Sequence, residues 1–208
     1  MVIENIKPAE IEKRSFEIIG DELAEKGISL DAEYEHIIKR CIHTSADFDY
    51  AESLYFSDGV VETISDALQK GCVIITDTKM AQAGINKTKL DSFGTTTMCF
   101  IGAEDVARDA KERGVTRSYV AMERALILDR PVIFAIGNAP TALFSILRMM
   151  EEERYKPIAV IGVPVGFVNV VESKELLIKS DIPCIVNRGR KGGSNIAAAI
   201  VNAIQYTL

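Results

Sequence analysis

His36 and His43 are the only imidazoles in this 208-residue chain, and they share a stripe with Arg40 at spacings of four and three residues. Side chains three and four apart are neighbours on a helix surface. Beside them Tyr34, Ile37, Ile38, Cys41 and Ile42 recur at helical spacing, which predicts an amphipathic helix from about residue 31 onward. His43 then falls at the last turn, just ahead of Thr44-Ser45 and the carboxylates Asp47 and Asp49. A helix dipole favours the charged form of a histidine at the C-terminus, which suits a group that gives and retakes a proton. A surface or capping histidine fits the same position, so spacing alone leaves both readings open.

The other candidates are mostly cations. The segment Arg188-Gly189-Arg190-Lys191-Gly192-Gly193-Ser194 places three cations and three glycines directly before a helix expected over residues 194–206. Positive charge at that end adds to the dipole, an arrangement that makes sense around a bound anion; a solvated turn is the other reading. Thr116 has the position of an N-cap, which puts Arg117 in a first turn where acids are usual. Guanidinium forks around a cleft hold carboxylates, and an exposed arginine without a role is the alternative. Ser15 lies on a helix bracketed by Pro8 and Gly27. It shares a side with Ile11, Ile18 and Ile19 and is expected to face inward, where a bond back to its own helix is the plain account.

The elements that must position these groups follow from the apolar pattern. Residues 73–76, 97–100, 132–136, 158–161 and 184–186 are continuous apolar runs. Helical stretches alternate with them, over residues 104–113, 117–128, 139–153, 168–178 and 194–206. Such runs between helices require a parallel sheet covered on both faces. The expected architecture is α/β: a three-layer α/β/α domain spanning residues 1–208, with a five-stranded parallel sheet and extra N-terminal helices. Ligands in such sheets lie at the carboxyl ends of the strands, here the loops at 77–80, 137–140, 164–167 and 187–194.

Composition removes several classes. Lys plus Arg total 24 and Asp plus Glu 30, a net charge of −6, so nucleic acid is not an expected partner. Net charge does not argue against an anionic ligand in one cleft. The first residues carry no apolar core of signal-peptide length, and the apolar region 132–150 is broken by Gly137-Asn138-Ala139-Pro140. A cytoplasmic protein with no membrane span is expected. Cys41, Cys72, Cys99 and Cys184 are scattered, which reads as reduced and mostly buried thiols, and two histidines build no zinc pattern. Neither the Walker A nor the Gly-x-Gly-x-x-Gly spacing is present, which counts against a nucleotide-dependent enzyme.

Several segments are together more specific than any one of them. They are Glu12-Lys13-Arg14-Ser15-Phe16, Arg40-Cys41-Ile42-His43-Thr44-Ser45-Ala46-Asp47-Phe48, Gly137-Asn138-Ala139-Pro140-Thr141-Ala142-Leu143-Phe144, Val163-Pro164-Val165-Gly166-Phe167 with Glu172-Ser173-Lys174, and the Arg188 to Ser194 loop. In this order, over nearly the whole chain, they resemble the precorrin-8 methylmutase family of corrin biosynthesis. The resemblance implies a five-stranded parallel sheet with helices on both faces, and a homodimer. It implies an isomerase that moves a methyl group from carbon 11 to carbon 12 of ring C of a polyanionic tetrapyrrole, precorrin-8 or its cobalt form. It makes His43 the proton donor and acceptor, gives Ser15 and Arg40 substrate contacts, and puts Arg117 in the same pocket. Arg190, Lys191, Gly192, Gly193 and Ser194 would hold peripheral carboxylates. No cofactor and no metal of the protein's own is implied; cobalt, where present, belongs to the substrate. The wording of residues 42–48 favours the cobalt form. Residues 79–86 do not match the family pattern, so no pocket residue is assigned there. A non-catalytic corrinoid carrier is the other reading, against which counts the missing Asp-x-His-x-x-Gly motif.

Overall fold

Continuous apolar runs become buried parallel strands in the computed structural model, which describes residues 6–208. The strands are β1 (Leu54–Phe56), β2 (Val73–Thr76), β3 (Thr96–Met98), β4 (Val132–Ile136), β5 (Ala159–Gly162) and β6 (Cys184–Asn187). They form one sheet in the order β1-β6-β5-β4-β2-β3, parallel throughout except for β1, which runs antiparallel to β6. The five expected strands are all present, and β1 is the addition. It is three residues long and half-buried along its whole length, so it carries no continuous apolar run that would mark it. The extended chain on both sides continues its pairing, with Arg188 N–H donating to the Ser53 carbonyl at 2.8 Å and Ser57 N–H to that of Cys184 at 3.0 Å.

Successive strand residues point to opposite faces and build two cores. Ile74, Ile133, Ala135, Ala159, Ile161 and Ile185 face one core. It is covered by α1 (Ile11–Glu25), α2 (Glu35–Ser45), α4 (Val60–Gln69) and α11 (Ser194–Tyr206). Two short helices, α5 (Lys79–Gly84) and α6 (Lys87–Ser92), pack beside α11, and α3 (Tyr50–Ser53) leads into β1. Val73, Ile75, Val132, Phe134, Ile136, Val160 and Val186 face the other core. There lie α7 (Glu104–Arg113), α8 (Arg117–Glu123), α9 (Pro140–Glu151) and α10 (Val170–Ile178). The helix expected over 117–128 stops at Glu123 and continues as a 3₁₀ turn over Arg124–Ile127.

Helix α1 departs from its expected orientation. Ile19 and Leu23 are buried, but Ile11 is 52% and Ile18 39% exposed, so their shared stripe does not face the core. The helix meets α2 along a narrow edge instead, and Ser15 sits half-buried with its hydroxyl donating to the Ile11 carbonyl at 2.9 Å. That back-bond is the plain account of a helical serine. Among the described residues no helix is long and apolar enough to cross a membrane. The cysteines are free; Cys41, Cys72 and Cys184 are buried, which pushes the Cys41 thiol up to about 12 and Cys184 to about 11.

Candidate active site

His43 stands in the last turn of α2, which ends at Ala46 in the left-handed conformation (φ 54°). Ile37, Ile38, Cys41 and Ile42 bury one side of the helix, which leaves His36 and Arg40 half-buried and His43 exposed on the other. The exposed imidazole stacks on Phe16 of α1, ring centroids 5.3 Å apart. Among the described residues neither of its ring nitrogens has a hydrogen-bond partner. It opens onto a cleft of about 260 Å³, walled by Arg40 and Thr44 with Gly84 of α5 and Asn195, Asn202 and Tyr206 of α11. Arg40 lies 4.8 Å from the Phe16 ring centroid and 5.3 Å from that of Tyr206, and pairs with Glu12 at 2.5 Å. Arg40 and Tyr206 also line a second cleft, of about 400 Å³, which holds His36 and Lys39. Burial lowers the pKa of His36, with Glu35 pulling weakly the other way, and its Nε2 is buried without a partner.

The chain after His43 is fastened to the glycine-rich loop. Lys191 Nζ lies 2.6 Å from Asp47 and 2.5 Å from Asp49, and the bond it donates to Asp47 leads in holding its pKa above the ordinary range. Lys191 is therefore a clasp between α2 and this loop. The loop itself is locked at its floor. Gly193 N–H donates to the Val163 carbonyl at 2.9 Å, and Gly166 N–H to that of Arg190 at 3.1 Å. A Cβ on Gly192 would stand 2.1 Å from the Val163 oxygen, so only glycine fits this approach. Ser194, 9% exposed, shares a 2.7 Å bond with Thr78, whose hydroxyl also caps α5. Arg190, by contrast, is exposed, lies over Phe167 at 5.4 Å and among the described residues has no carboxylate partner.

Asp77 organises the middle of this edge. The strand order reverses between β2 and β4, the crevice where doubly wound sheets usually take an anion. Here the protein's own carboxylate fills it. Asp77 is 1% exposed and accepts from the backbone N–H groups of Gly137 at 2.9 Å, Asn138 at 2.8 Å and Ala139 at 2.7 Å. Burial pushes its carboxyl upward while those three donors pull it down. The backbone donors ahead of α9 are thus already taken by the protein's own carboxylate.

Comparison with known proteins places this geometry. The family described as Precorrin-8X methylmutase matches residues 10–207. The chain belongs to that family. It is 46% identical to the cobalt-precorrin-8 methylmutase of Salmonella typhimurium over 206 residues, covering 97% of this chain and 96% of that protein. To the cobalt-precorrin-8 methylmutase of Priestia megaterium it is 41% identical over 199 residues, covering 96% and 88%. The solved precorrin-8x methyl mutase from Thermus thermophilus superposes with a TM-score of 0.84 at 33% identity, covering 95% and 96%. The chain is accordingly an isomerase of the precorrin-8X methylmutase family, and its mixed α/β sheet is the one seen in that solved relative.

Within one methylmutase chain the expected residues fall into two groups. His43 and Arg40 come together on one cleft, with Ser15 on the adjoining turn of α1. Arg190, Lys191, Gly192, Gly193 and Ser194 form the loop fastened beside it. Arg117 does not join them: it is exposed at the first turn of α8, in the opposite helical layer, without an ion-pair partner among the described residues. The expected Thr116 cap is present, accepting from Tyr119 N–H at 3.2 Å and donating to Thr141 at the start of α9. Sequence reasoning missed Tyr206, Asn195 and Gly84, because nothing local to residues 79–86 shows that α5 will pack on α11. It also missed the two buried charges, Asp77 and Lys174. Each interrupts or borders an apolar stretch, and that was the available signal.

Proposed function

We propose that this protein moves the methyl group from carbon 11 to carbon 12 of ring C of cobalt-precorrin-8, with His43 as the proton donor to a ring nitrogen. The observation that carries the reading is His43 itself: an exposed imidazole whose nitrogens have no partner among the described residues, held over a cleft by stacking on Phe16 and flanked by Arg40. A suprafacial [1,5] shift breaks and makes its bonds within one conjugated system. The protein therefore has to hold the ring and favour the tautomer in which migration is easy, and needs no nucleophile, metal or redox cofactor of its own. The cobalt ion is part of the substrate. General acid catalysis of this kind contributes about 10²–10⁴-fold, and confinement of the ring adds to it.

Among the described residues Arg190 pairs with no carboxylate and is suited to holding a peripheral carboxylate of the pigment, whereas Lys191 acts mainly through Asp47 and Asp49. Arg117, in the opposite helical layer, would reach a pigment at His43 only from the second copy of a homodimer. The protein works in the cytoplasm as a homodimer, a reading supported by the exposed Ile11 and Ile18 on α1 and by the width of a macrocycle relative to a cleft of about 260 Å³. Sedimentation that finds only a 22.8 kDa species would count against the dimer. The test of the chemistry is His43→Ala. It should abolish rearrangement of the pigment, followed by its absorption spectrum, while the protein still folds and takes up the corrinoid. His36→Ala should change the rate little. Rearrangement by His43→Ala at close to the wild-type rate removes His43 from the reaction. Turnover of cobalt-loaded against metal-free precorrin-8 decides the form of the substrate.

A further inference from the structure

Lys174 is a cation in the interior of the protein. It lies on α10 with 0% exposure and forms no ion pair among the described residues. Its Nζ donates instead to two carbonyls of the glycine-rich loop, Gly189 at 2.9 Å and Lys191 at 2.7 Å. Asn187, also fully buried, donates from Nδ2 to the carbonyls of Arg188 at 3.2 Å and Lys191 at 2.9 Å. The remaining carbonyl of the run, that of Arg190, accepts from Gly166 N–H.

Four consecutive carbonyls, from Arg188 to Lys191, are therefore turned inward and consumed by the protein. The opposite side of the same peptides follows from that. Among the described residues nothing accepts from the N–H groups of Gly189, Arg190, Lys191 or Gly192. Adjacent N–H groups left facing outward form an anion-receptive concavity, and the Arg190 guanidinium, without an ion-pair partner among the described residues, lies on the same loop. Burying an ammonium against carbonyls alone is costly, and burial lowers its pKa to about 8. A methionine would fill the same space without that cost. The two loop carbonyls are what the ammonium answers.

We infer that Lys174, assisted by Asn187, is a positioning residue that draws the carbonyls of Arg188, Gly189 and Lys191 inward and so presents the N–H groups on the other side of the loop, with Arg190, to a carboxylate of the substrate. This rests on the functional reading above and deepens it. Lys174 does not itself touch the ligand. Its loss should therefore weaken binding and leave the methyl shift alone.

Two measurements test this. In the wild-type protein, hydrogen exchange at the amides of residues 189–192 should slow when the rearranged pigment, hydrogenobyrinate or its cobalt counterpart, is bound; unchanged exchange overturns the inference. In steady-state turnover, Lys174→Met should raise KM on the order of tenfold with kcat within about threefold. Arg190→Ala should raise KM in the wild-type background and add little in the Lys174→Met background, since both act through one loop. Asn187→Ala should show the same pattern and serves if the methionine variant does not fold. Folded variants with a wild-type KM, or full additivity with Arg190→Ala, overturn the positioning role alone. A wild-type protein that does not rearrange the pigment overturns the functional reading, and this inference with it.

Discussion

Replacing Asp77 tests whether the rim of the site is held together by one buried carboxylate. Its two oxygens take three backbone N–H groups, Oδ1 that of Gly137 and Oδ2 those of Asn138 and Ala139. Asp77→Asn keeps the shape. With the amide oxygen in the Oδ2 position it still accepts two of the three, and its N–H₂ faces the Gly137 N–H. One bond is lost, and both the Gly137 N–H and the amide's own N–H₂ are left buried without an acceptor, a cost of about 2–4 kcal/mol. Relief of the carboxylate's desolvation moves the figure toward the lower end. Asp77→Ala strands all three donors, at about 1–3 kcal/mol each, so about 3–6 kcal/mol in total once water reaches some of them. Domains typically have about 5–15 kcal/mol in all, so the alanine protein should be close to unfolding. Urea titration followed by circular dichroism measures both values. An Asp77→Ala protein within about 1 kcal/mol of wild type would refute the reasoning, because the Gly137 loop would then be held by its packing on Gly193 and Ser194 and not by the carboxylate.

Gly192→Ala should destabilise the protein by more than about 3 kcal/mol or prevent folding, because its Cβ meets the Val163 oxygen at 2.1 Å; a urea midpoint unchanged from wild type would contradict this. Lys174 gives a pH signature. Its pKa is lowered on folding from 10.5 to about 8, so between these values the unfolded chain keeps a proton that the folded protein has lost. Stability relative to Lys174→Met should therefore rise with pH from about 8 toward 10, with a slope of at most about 1.4 kcal/mol per pH unit, and be flat below about 7. Urea unfolding of both proteins at pH 7 and pH 9 checks the sign.

The sheet was legible because four of its central strands are buried on both faces and so cannot hide their composition: every residue of Val73–Thr76, Val132–Ile136, Ala159–Gly162 and Cys184–Asn187 is buried. β1 was not legible, since its partner lies more than a hundred residues away and its side chains are only half covered. Ile11 and Ile18 misled for the converse reason: helical spacing reports which residues share a side, not whether anything packs on that side. The histidine helix was readable from spacing, and its role from resemblance. What spacing could not supply was Asp77 and Lys174, whose partners are backbone groups. Backbone N–H and C=O are the same in every residue, so no pairing pattern in the sequence marks the charge that will answer them.

The clasp between Lys191 and Asp47 joins residues 144 positions apart in sequence, and the β1–β6 pairing reaches almost as far. Closing a loop of that length costs about 4 kcal/mol of chain entropy before any contact compensates it. During synthesis, at about 5–20 residues per second, the histidine helix leaves the ribosome on the order of ten seconds before its clasp partner. Through that interval Ile37, Ile38, Cys41 and Ile42 have no α11 to cover them. The nascent chain must carry an unburied apolar helix until its final segment emerges. Chaperone demand and aggregation during expression should fall on that window, and a chain cut short before α11 should be insoluble as well as inactive.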